Sequence, residues 1–113
     1  MFEFFKNRKI KKQAVSELIR KDLKPQADLI KSSSNFVKFN EKRFELEIKF
    51  LRVQKVDFSA ALRSQTRFTD AKEICIKYSL TEEAFFLQNY IDLYKKYAVD
   101  LVEKAKASGG GSI

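Results

Sequence analysis

FVKFNEKRFELEIKFLRVQKVDF, residues 36–58, decides the fold class of this chain. Phe44, Leu46, Ile48 and Phe50 alternate with Glu45, Glu47 and Lys49, the period-two pattern of a half-buried strand. Phe36-Val37-Lys38-Phe39 can pair with it across Asn40-Glu41-Lys42, and a short hairpin near residues 36–50 would make the fold α+β. The same stretch also holds a helical seam of Phe44, Ile48, Leu51, Phe58 and Leu62, with Lys55 as a polar break. Glu, Lys, Arg and Leu favour helix, and no Asn-Gly or Asp-Gly hairpin turn is present. Helix is the favoured reading. The expected fold is all-α, a bundle of about four helices with a long C-terminal helix.

Downstream, Asp57-Phe58-Ser59 and Thr69-Asp70 both read as helix starts, and Asp70 with Glu73 has capping-box spacing. A helix here is either interrupted around residues 63–67 or runs through to Tyr78. Ser79-Leu80-Thr81-Glu82 is punctuation. Either Ser79 caps with Glu82, or Thr81 caps with Leu80 and Phe85 as a hydrophobic staple. Glu82 and Glu83 then sit where the helix dipole favours negative charge.

The last helix is expected to run to about Ala107. Ala84, Leu87, Ile91, Tyr94, Ala98, Leu101 and Ala105 repeat at steps of three and four, a coiled-coil-like seam of three heptads. Phe86, Tyr90, Leu93 and Tyr97 form a second stripe beside it. Together the stripes cover about half the circumference. Such a helix contacts two neighbours or uses its spare face for another subunit. Phe86, Leu87 and Ile91 are expected in the core. Tyr90, Leu93, Tyr94 and Tyr97 are the candidate protein interface, because buried tyrosine hydroxyls need partners and so favour a margin.

Upstream, residues 4–23 read as a basic amphipathic helix, with Ile10, Ala14, Val15 and Leu18 at helical spacing. Lys24-Pro25 should end it, since proline restricts the residue before it. A short helical turn through Gln26 to Lys31 and a Ser32-Ser33-Ser34-Asn35 linker follow. Residues 1–107 are expected to form one domain, and residues 108–113 a flexible Gly/Ser tail.

The formal charge of +8 is uneven. Residues 1–24 carry eight basic and three acidic side chains, whereas residues 81–113 carry four basic and five acidic ones. An electropositive N-terminal end suits an anionic partner. Histidine is absent, which removes His-based acid–base catalysis, His-containing nucleophilic arrangements and the common zinc sites. All three glycines lie at residues 109–111, so the body has no phosphate-cradling loop. Cys75, between Ile74 and Ile76, reads as a buried structural thiol and fits a reducing cytoplasm. The expectation is a non-enzymatic protein without cofactor or metal.

Two binding classes remain. The first is a helical protein-interaction or adaptor protein, cytoplasmic or peripheral to a membrane. Phe2, Phe4 and Phe5 would enter an anionic headgroup region while Lys6, Arg8, Lys9, Lys11 and Lys12 attract it. Its partner is a protein or a second copy, with an anionic lipid surface as the further contact. The second is non-specific nucleic-acid binding by the basic N-terminal half. Arginine, the usual guanine reader, is outnumbered by lysine, and the last helix opens acidic and aromatic, which disfavours groove reading.

Overall fold

The structure is a computed structural model that describes residues 2–33 and 35–108, with side chains described from Arg8 onward. Five helices follow in order: α1 (Phe2–Arg20), α2 (Lys24–Ser32), α3 (Glu41–Val53), α4 (Phe58–Lys77) and α5 (Thr81–Ala107). No strand occurs among the described residues. The fold is the expected all-α bundle with a long last helix. The hairpin alternative near residues 36–50 is excluded, and the local reason is a cap. Asn40 Oδ1 accepts from the Arg43 amide at 2.8 Å and opens α3, while residues 35–39 form neither helix nor strand.

α4 and α5 form an antiparallel pair whose mutual contact exceeds that of every other helix pair. α1, α2 and α3 lie as a second layer against it. α1 and α2 cover the end near the α4–α5 turn, and α3 runs along the distal half of α5. Two clusters fill the gap between layers. Val15, Leu18, Leu23, Ala27 and Ile30 meet Phe68, Ala71, Cys75, Ala84, Leu87 and Ile91 in the first. Ile48 and Leu51 meet Ala61, Leu93, Tyr97 and Ala98 in the second. The extents of 60 × 29 × 19 Å describe a slab two helices thick. Its radius of gyration, 16.1 Å, exceeds the about 13 Å of a compact chain this long.

Three helices end alike. Leu23 N–H donates to Leu18 O and Asp22 N–H to Ile19 O after α1. Val56 to Leu51 with Lys55 to Arg52, and Leu80 to Cys75 with Ser79 to Ile76, repeat the pattern after α3 and α4. These are Schellman closures, each folding an apolar residue back over the helix end. Their left-handed residues are Asp22 (φ 62°), Lys55 (φ 55°) and Ser79 (φ 59°) in place of the usual glycine.

Several boundaries differ from expectation. α1 closes before Lys24-Pro25, and the proline instead sits in the first turn of α2, where its missing N–H is harmless. Of its two expected courses α4 takes the unbroken one, through Thr69-Asp70 to Lys77, and Thr69 Oγ1 donates back to Gln65 O at 2.9 Å instead of capping. Asp57 does cap α4, accepting from the Ala60 amide at 2.8 Å. α5 opens without a side-chain cap, because Ser79 is consumed by the closure of α4. Phe85 is 72% exposed, so the Leu80–Phe85 staple is not made.

Candidate docking surfaces

The five expected cations of the N-terminal segment divide. The side chains of Lys6, Phe2, Phe4 and Phe5 lie outside the described residues. Arg8, Lys9 and Lys12 are exposed, whereas Lys11 is half-buried with Nζ 4.9 Å from the Phe36 ring centroid. Arg8 and Lys11 line a cleft of about 360 Å³ with Ser79, Leu80, Thr81, Glu82 and Glu83. The inner bases thus face the acidic first turn of α5. Lys9 and Lys12 remain on the outer side. Among the described side chains of α1, Ile10 and Lys11 are half-buried against the body and full burial begins at Ala14.

The residues expected to offer a protein interface are largely taken up by the chain itself. Leu93 is 1% exposed and Tyr97 2%, both packed among α3, α4 and α5. Tyr97 Oη donates to the Val56 carbonyl, with Leu51 O at 3.4 Å, so its hydroxyl closes the end of α3. Tyr90 and Tyr94 are half-buried over Phe68, with ring centroids 4.9 and 5.7 Å away. Burial pushes the phenol of each of these tyrosines up from its ordinary value. For Tyr97 the hydroxyl partner exists within the chain, at a helix end that sequence spacing does not reveal, while Tyr90 and Tyr94 stay half-buried at the margin.

Two polar clips fix the second layer. Asn89 Oδ1 accepts from the Phe39 amide at 3.0 Å, and Nδ2 donates to Val37 O at 3.1 Å and Phe86 O at 3.0 Å. The segment before α3 is thereby held on α5, with Phe36 and Phe39 edge-on to Phe86 and Phe39 edge-on to Tyr90. Arg43 lies 4.0 Å over the Phe39 ring. At the other end, Glu17 Oε1 accepts from Lys77 Nζ and Tyr78 Oη, each at 2.8 Å. The Lys77 and Tyr78 bonds hold the Glu17 carboxyl below its ordinary value, and the Glu17 partner raises Lys77 and Tyr78.

Chemistry elsewhere is sparse. Cys75 is buried, and desolvation pushes its thiol up to about 12, so it stays protonated at neutral pH. Among the described residues no group of His, Cys, Asp and Glu converges to hold a metal ion. A cleft of about 440 Å³ between the end of α1 and α4 gathers Lys21, Arg63 and Arg67, but Asp22 and Asp70 share it. No described helix is long and apolar enough to cross a membrane.

One surface was not foreseen. Leu46 and Phe50 are each 56% exposed and Val53 78%, on successive turns of α3. The helix buries Ile48 and Leu51 on its opposite side. The signal was present as the spacing 46, 50, 53, but the alternation of residues 44–50 masked it as a strand pattern.

The chain matches no protein-family model, no characterised protein and no solved structure.

Proposed function

We propose that the chain is a non-enzymatic helical interaction protein that docks on an anionic membrane surface through the start of α1. The supporting observation is the placement of Lys9 and Lys12, exposed on the side of α1 away from Lys11, which rests on Phe36. The outer side of a helix whose inner side rests on the body can lie along a headgroup layer without disturbing the core. Each base near such a surface contributes about 1 kcal/mol, and the attraction falls off within about 8 Å at physiological salt. The protein partner of such an adaptor has Ile76 and Phe85 available as exposed apolar contacts on the open side of the α4–α5 pair.

Non-specific nucleic-acid binding is the second reading. The cleft that brings Lys21, Arg63 and Arg67 together favours it, and the two carboxylates in the same cleft weigh against it.

Vesicle flotation separates the two. The full chain is expected to float with anionic and not with neutral vesicles, less at moderate than at low salt. Lys9→Glu with Lys12→Glu should lower partitioning by roughly thirtyfold or more, the exponential of about 2 kcal/mol. Flotation unchanged by the double reversal sinks the α1 reading. Displacement of bound protein from vesicles by nucleic acid, with a loss in the Arg63→Glu variant, would favour the second.

A further inference from the structure

We propose that the outer face of α3, Leu46, Phe50 and Val53, is a second lipid contact that lies flat on the anionic surface that α1 approaches; this rests on the docking reading above. α3 is apolar on two opposed sides. At about 100° per residue, Leu46, Phe50 and Val53 fall within an arc of about 60°, while Phe44, Ile48 and Leu51 point away into the body. The stripe is about 10 Å long. No described residue covers it.

The border of the stripe selects the occupant. Lys42 and Lys49, both exposed, stand about 50–70° to one side of its axis, while Arg43 on the other side turns inward over Phe39. Glu45 and Glu47 stand about 90–110° away, nearer the body. Apolar side chains bordered by two exposed lysines, with acids set back, match a helix at a headgroup boundary: the apolar groups enter and the long lysine chains reach up to phosphate. A second copy is the poorer occupant. A stable interface covers about 800 Å² per partner, drawn from some 20–30 residues. Three side chains on one helix do not supply that, and two copies of this face would bring like charges together.

Orientation fits as well. α1 and α3 belong to the same layer, whereas Phe85 stands with Gln88 on the open side of the hairpin, where Lys72 Nζ meets Gln88 Oε1 at 2.6 Å. The chain has no tryptophan, so a single indole reports one site. Phe50→Trp and Phe85→Trp would each be made in the full chain. Fluorescence would be read with vesicles of phosphatidylcholine and phosphatidylserine carrying brominated acyl chains. Phe50→Trp should shift to the blue and be quenched, and Phe85→Trp should not. A triple Leu46→Ser, Phe50→Ser, Val53→Ser variant, its fold checked by thermal melting, should bind these vesicles roughly tenfold more weakly.

If Phe50→Trp stays unquenched while the chain floats through Lys9 and Lys12, the α3 contact is wrong and the docking reading stands. If the wild-type chain does not float, both fail. A drop in oligomer mass in the triple-serine variant assigns the face to a second copy and overturns the lipid contact.

Discussion

A left-handed residue with a Cβ costs roughly 1 kcal/mol or more against the preceding carbonyl, which glycine avoids. Asp22, Lys55 and Ser79 each carry that cost in this chain. Ser79 is the simplest to relieve, since it is exposed and makes only backbone closure bonds. We predict that Ser79→Gly stabilises the protein by about 1 kcal/mol, raising the melting midpoint by about 4 °C. A midpoint that is unchanged or lower would refute the strain argument. The absence of glycine from the body also explains why helix ends were hard to locate. The usual C-terminal marker is missing at all three closures, and Ser79, read as the start of a helix, is the end of the one before. Asp57 was legible as a cap because its residue type does what that type usually does. Cys75 was legible because apolar neighbours on both sides placed it inside, and it is buried.

Among the elements, α5 was the most readable. Its two stripes called for two neighbours or for another subunit on the spare face, and the chain supplies two neighbours: α4 along the Ala84–Leu87–Ile91 seam and α3 along Leu93 and Tyr97. α3 was the least readable, because a helix with apolar residues on opposite sides places them at every second position locally, as a strand does. Asn89 could not be picked out at all, being one polar residue at the edge of an apolar stripe. Yet it carries the link between the halves of the second layer. Its three bonds satisfy the Phe39 amide and the Val37 and Phe86 carbonyls, of which the Phe39 and Phe86 bonds are buried. Asn89→Leu is predicted to cost roughly 3 kcal/mol in urea unfolding, since buried backbone groups lose their partners. Amide exchange at Phe39 should accelerate more than that at Leu87. Equal acceleration at both sites would show that the clip does not act locally.

Over the whole molecule, the Glu17–Lys77–Tyr78 clip ties α1 to the end of α4 and makes stability depend on pH at both extremes. Glu17 is held below its ordinary 4.5, so its contribution is present above that pH and lost as pH falls through the lowered value. Lys77 and Tyr78 are held above 10.5 and 10.0, so theirs is present below about pH 10 and lost as pH rises through the raised values. Arg20 adds to the depression at Glu17 and slightly opposes the rise at Lys77. Glu17→Gln should therefore flatten the stability profile on both flanks while lowering the plateau between them. Parallel profiles for the two proteins would dismiss the clip as a source of pH dependence.

The order of the layers along the chain has a consequence in time. The ribosome delivers α1, α2 and α3 before either helix they rest on. Synthesis proceeds at about 5–20 residues per second, so the half of the protein with its apolar faces prepared waits several seconds for a surface. During that interval Leu18 and Ile30 have only each other's helices to rest on, and Ile48 and Leu51 lack the Leu93 and Tyr97 they pack against. The nascent N-terminal half is consequently the stage at which the core faces of α1, α2 and α3 stand open, and the emergence of α4 and α5 is what closes them.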